Sequence, residues 1–170
     1  MQPVYAYCIR MITAVRGLAW IGCLALMAAV ACGSSPFSLA NPSVDATYTC
    51  PAGAANAPYD LHATADADNP TSQTVEVRSV SAVMVVSAIH GAWQQKVGSQ
   101  YDAGQAQFSP KTIAAGAKAK VQATIPSACS NGKHLGTTDN YADYSIRLTV
   151  VTSAGTFNVT STNTHRILAP

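Results

Sequence analysis

The chain has 170 residues, of which 48% are hydrophobic, 7% aromatic and 11% charged, and its formal net charge is +2. Globular chains carry about 25% charged residues, so the shortfall excludes a charge-rich disordered polymer and a coiled coil built on Glu and Lys. The length allows one domain of ordinary size, and so small a net charge speaks against a nucleic-acid partner.

In chain order, Arg10 and Arg16 are the only charges before Asp45, and an apolar run extends from Leu18 to Ala31. Basic residues, an apolar run and then small residues form the pattern of a secretory signal, whose apolar part enters the membrane as a short helix. Met11 to Ala31 makes a complete leader by itself. The run is shorter than the roughly 18 to 20 residues of a spanning helix, so a retained anchor is the lesser reading.

Ala29-Val30-Ala31-Cys32, followed by Gly33-Ser34-Ser35, resembles the lipobox of bacterial lipoprotein precursors. It departs from that box at Ala29, where Leu is usual. The resemblance implies diacylglycerol on Cys32 as the new N-terminus, and hence a lipid-anchored protein on the extracytoplasmic side of the envelope. Cleavage after Ala31, or after Ala40 in Ser38-Leu39-Ala40, would give a secreted protein without lipid. The organisation expected is a signal peptide over 1–31, a lipidated Cys32 and flexible tether over 32–44, and a β-sandwich domain over 45–170.

Without the leader, eight basic residues face eight acidic ones, and Leu falls to five. Straight-chain helix formers are scarce, while Val and Thr, which suit a pleated sheet, are common. Cys8 and Cys23 leave with the leader and Cys32 takes lipid, so Cys50 and Cys129 remain. An even pair in an oxidising compartment predicts a Cys50–Cys129 disulfide.

The period-two segments then follow one another. Ala46 to Cys50 alternates weakly. Tyr59, Leu61, Ala63, Ala65 and Ala67 fall on one face of a strand, with Asp60, His62, Thr64, Asp66 and Asp68 on the other. Asn69 to Ser72 is a turn. Thr74 to Val77 and Ser79 to Ile89 read as one long strand or two consecutive ones, and Val83 to Val86, apolar on both faces, belongs at the centre of a sheet. Ala119, Val121, Ala123 and Ile125 mark another strand, which Pro126 should stop. Tyr144 to Val150 and Phe157 to Ser161 form a hairpin about Ser153-Ala154-Gly155, and Thr164 to Leu168 extends its last strand.

About seven strands with no convincing helix predict an all-β fold, a single two-sheet antiparallel sandwich. It resembles the immunoglobulin-like and fibronectin-like modules of bacterial surface proteins, and Asp68 to Val77 looks like the turn into a strand that such modules carry. The cysteine placement departs from antibody-type domains. A barrel or jelly roll is the alternative architecture.

No Gly-x-Ser-x-Gly, His-Glu-x-x-His or phosphate-cradling glycine loop occurs. No catalytic residue is assigned, no cofactor is called for, and an enzyme is not expected. Asp66, Asp68 and Asn69 are weak candidates for a cation, since only there does a turn fold the chain back; the row from Asp60 to Asp68 is too extended for one ion and reads better as a solvated face. The segment from His90 to Phe108 reads as a long loop. It holds Trp93, the only Trp outside the leader, with Gln94, Gln95, Tyr101 and further glutamines. Flat aromatic faces and amides suit sugars or peptides, although Trp93 and Phe108 could equally pack on the sandwich edge. A second loop, Ser127 to Tyr141, contains Asn131-Gly132, His134 and Asp139, with Cys129 at its base.

The function expected is therefore non-catalytic: binding, adhesion or structural interaction at a bacterial surface. The membrane, through the lipid on Cys32, and a glycan or an envelope protein are the partners. A carbohydrate-binding module using Trp93 and Tyr101 is one alternative, and a small envelope hydrolase with no motif behind it is another.

Overall fold

The computed structural model describes residues 36–131 and 140–169. The expected leader over 1–31, Cys32 and His134 lie outside the described residues.

Among those residues there is no helix, and eleven strands form two sheets. The first sheet has the order β1 (Ser38–Val44), β3 (Ala57–Asp68), β8 (Lys118–Cys129), β6 (Gln107–Ser109). The second runs β2 (Thr47–Thr49), β11 (His165–Leu168), β9 (Tyr141–Thr152), β4 (Val75–His90), β5 (Gln100–Gln105). Two further strands join this second sheet: β10 (Gly155–Thr160) pairs with β9, and β7 (Thr112–Ile113) pairs with β4.

Alternation decides which side chains turn inward. On β3 the buried residues are Tyr59, Leu61, Ala63, Ala65 and Ala67; on β8 they are Val121, Ala123, Ile125, Ser127 and Cys129. Opposite them, β9 contributes Ala142, Tyr144, Ile146, Leu148, Val150 and Thr152. The long strand β4 changes phase. Val75 and Val77 are buried, then Val80, Ala82, Met84 and Val86, because the register against β9 shifts between Val77 and Ser79. A bulge adds one residue without breaking the ladder, so the two sequence segments are one strand.

The described residues form eleven strands where the sequence reads as about seven, and four further expectations need correction. Residues 32–44 are not a tether throughout. Phe37 is buried against Phe157, with ring centroids 5.1 Å apart, and Ser38–Val44 pairs with β3. The segment from His90 to Phe108 is not one loop, since β5 and much of β6 lie within it. Pro126 does not stop β8, which continues to Cys129. Strand β6 pairs only with Gln122 to Thr124, so β8 is an edge beyond that point, and an edge accommodates a residue with no N–H. Thr164 to Leu168 does carry the last strand on along β9, after a break: residues 161–164 separate β10 from β11, and β11 pairs antiparallel with β9 beyond the end of β10 and parallel with β2. That β11–β2 pair also makes the sheets not wholly antiparallel.

The predicted bridge is present. Cys50 follows β2 and Cys129 ends β8, so the Cys50–Cys129 disulfide ties one sheet to the other.

His165 is buried between strands of both sheets. Its Nδ1–H donates to the Asp45 carbonyl at 2.7 Å, and the Tyr59 hydroxyl donates to Nε2 at 3.2 Å. A carbonyl only accepts, which assigns this tautomer. Burial pushes the imidazole below its ordinary 6.5, partly opposed by the bond to Asp45, and pushes the Tyr59 hydroxyl up to about 12. As pH falls, the unfolded chain therefore takes up this proton before the folded one does. The stability is full above 6.5 and is lost as pH falls below it. The thermal midpoint should drop between about pH 7.5 and about pH 5, and His165→Gln should flatten that slope. An unchanged slope in the variant would assign the acid sensitivity to other groups.

Candidate functional site

At the end of the sandwich where β3 and β9 begin and β4, β8 and β11 end, a cavity of about 370 Å³ opens between the sheets. Its size falls in the range of roughly 300 to 1,000 Å³ typical of small-molecule sites. Trp93, Gln94, Gln95 and Tyr101, the four residues singled out from sequence, all line it. So do Asn131, just after β8, and Asn140, just before β9.

Local chemistry explains how these groups are held. The turn after β4 needs a left-handed residue, and Gly91 has φ +72 there; a Cβ at that position would run into the Asn140 side chain. The Asn140 Oδ1 accepts the Ala92 N–H at 2.8 Å, fastening the start of the Trp93 segment to β9. The Trp93 indole N–H donates to the Tyr144 hydroxyl at 3.3 Å, and that hydroxyl donates to Gln95 Oε1 at 2.8 Å. Burial raises the Tyr144 pKa, partly opposed by the bond from Trp93, which keeps the phenol a donor at neutral pH. The chain Trp93–Tyr144–Gln95 thus orients one aromatic ring and one amide through a single phenol.

On the opposite wall, the Ser130 hydroxyl accepts the Asn56 N–H at 3.0 Å, and the Asn131 Nδ2 donates to the Cys50 carbonyl at 3.1 Å, beside the disulfide. The Ser127 hydroxyl donates to the Met84 sulfur at 3.4 Å on the floor between the sheets. Trp93 is half-buried and packs on the core, while Tyr101, on β5, is 41% exposed. Trp93 therefore both packs at the edge and lines the cavity. Among the described residues the lining carries amides, hydroxyls, aromatic rings and aliphatic groups, with no charged side chain.

Tyr144, Met84 and Ser127 were not singled out as site residues. They lie on strands whose alternation reads as core, and nothing in a strand pattern distinguishes a side chain facing a cavity from one facing a packed neighbour. The remaining candidates lie elsewhere. Asp66 on β3 accepts from Lys120 at 2.6 Å and from Asn41 at 3.1 Å, and Asp68 pairs with Lys118 at 2.8 Å. The Asn69 side chain turns inward and bonds to backbone carbonyls. The turn thus does not converge Asp66, Asp68 and Asn69, because each has a different protein partner. Among the described residues no group of three or more His, Cys, Asp or Glu is placed to hold a metal ion.

Fold and cavity define a two-sheet all-β domain with a cavity at one end whose described lining carries aromatic, amide and hydroxyl groups. No family model and no curated protein matches the chain. Similar solved structures include the copper-bound PCuAC domain from PmoF2, at 9% identity and a TM-score of 0.37, covering 81% of this chain and 97% of that one. They also include the ASH/PapD-like domain 7 of human CEP192, at 10% identity and a TM-score of 0.29, covering 76% of this chain and 85% of that one.

Proposed function

We propose that the protein is an exported lipoprotein of a bacterial cell envelope, acylated at Cys32, and that its immunoglobulin-like sandwich is a non-catalytic binding domain with the end cavity as its site. The observation that carries the binding role is the convergence on one cavity of Trp93, Gln94, Gln95 and Tyr101 with Asn131 and Asn140. Among the described residues the cavity presents neither carboxylate nor imidazole, the groups most acid–base catalysis uses.

The strand orders support the immunoglobulin-like reading. Taking β1, β3, β4, β5, β6, β8 and β9 as A, B, C, C′, D, E and F, with β10 and β11 together as G, the sheets read A-B-E-D and G-F-C-C′, with β2 added outside G and the short β7 beside C. The disulfide supports an oxidising compartment.

The described fold also bears on where a leader could be cut. Cleavage after Ala40 would remove Phe37, which is buried against Phe157, and Ser38 to Ala40, which pair with Asp66 to Asp68. Cleavage before Cys32 keeps all of these. The mature N-terminus is expected at an acylated Cys32, and Cys32→Ser should abolish the acyl mass. An intact mass beginning at Asn41, or one beginning at Cys32 without acyl groups, would remove the lipoprotein reading.

A further inference from the structure

Resting on the reading of the cavity as a binding site, we infer that its ligand is an uncharged sugar unit, one or two rings of a neutral glycan, held against Tyr101 and Trp93. Three observations converge on this class. The described lining offers amides, hydroxyls and aromatic rings, and no charged side chain among the described residues stands ready to meet an ionic group. The lining's polar groups are the amides of Gln94, Gln95, Asn56, Asn131 and Asn140 and the hydroxyls of tyrosine and serine. These offer donors and acceptors side by side, as a sugar's hydroxyls require. Finally, the Trp93 N–H is already engaged by Tyr144, so Trp93 has its carbon surface to offer, and the exposed Tyr101 ring stands with it in the lining. Flat rings of this kind match the C–H faces of a pyranose.

The network also divides the work among the amides. Gln95 Oε1 accepts from Tyr144, so this side chain presents its NH₂ end as the group able to donate to a ligand oxygen. Tyr101 makes the cleanest probe, because it is exposed on β5 and stands outside the Trp93–Tyr144–Gln95 chain.

The test titrates the full exported protein with glucose, N-acetylglucosamine, maltose, cellobiose and chitobiose, read by calorimetry and by protein NMR. At least one neutral sugar should bind, with Tyr101→Ala weakening it at least about tenfold and Tyr101→Phe within about threefold of the parent. Glucuronate should bind at least about tenfold more weakly than glucose. Two results overturn the sugar assignment: no neutral sugar binds at millimolar concentration, or binding is indifferent to Tyr101→Ala. If in either case short peptides or charged probes perturb the cavity resonances in a Tyr101-dependent way, the cavity remains a binding site and only its ligand class is wrong. If no probe perturbs those resonances, the binding role falls with it.

Discussion

Alanine at both Cys50 and Cys129 lowers the unfolding free energy by about 4 to 5 kcal/mol, the loop-closure value for a bridge of this span. The two half-cystines are 79 positions apart, and nearly the whole of the first sheet is threaded between them. Cutting the bridge returns that conformational freedom to the unfolded chain. Both residues are buried, and they hold the end of β2 in one sheet to the end of β8 in the other. Domain stabilities are about 5 to 15 kcal/mol, so the loss is a large share of the total. Urea unfolding of the parent and of the double variant measures it directly. A loss below about 1 kcal/mol would show that the unfolded chain is already constrained without the bridge.

Asn69→Ala is expected to cost about 3 kcal/mol or more, by leaving buried backbone groups without partners. Asn69 has no exposed surface. Its Nδ2 lies 2.8 Å from the Gln73 carbonyl, 3.1 Å from that of Ile113 and 2.9 Å from that of Ala114, while its Oδ1 accepts from the Thr71 hydroxyl at 2.6 Å. One side chain thus ties the turn after β3 to the segment between β7 and β8. Alanine removes the donor and leaves its acceptors where water reaches poorly. Denaturant unfolding of Asn69→Ala reads the cost, and a change below about 1 kcal/mol would mean that water replaces the amide. Calcium separates this role from the cation reading of the same residue. The parent's thermal midpoint should be the same with calcium as with a chelator, whereas a calcium-dependent rise abolished by Asn69→Ala would restore the cation site.

The same residue illustrates how far the sequence could be read. Asn69 was legible as part of a turn, because Asn-Pro-Thr-Ser breaks a strand by local chemistry. That its amide points inward depends on Ile113 and Ala114, more than forty positions away. Strands β3, β8 and β9 were legible because alternation is local and each has one buried face. Strand β1 was not. Ser-Leu-Ala-Asn-Pro-Ser-Val does not alternate, its register shifts between Ala40 and Ser43, and only pairing with β3 makes it a strand. Strand β5 was hidden in the same way, since its Gly104 and polar residues read as loop while its pairing comes from β4.

The sequence by itself determined the all-β character, the inward faces of the long strands and the cysteine pair available to bridge. Each of these follows from residue type or from spacing of one or two positions. It also marked Trp93, Gln94, Gln95 and Tyr101 as unusual, through composition alone. Only the tertiary structure decided that these four stand with Tyr144, Asn131 and Asn140 around one cavity. It likewise decided that Asp66, Asp68 and Asn69 go separate ways. The physical reason is common to both outcomes. A site between two sheets is made by which strand ends meet, and that is settled by long-range pairing and core packing, to which no local pattern in the chain refers.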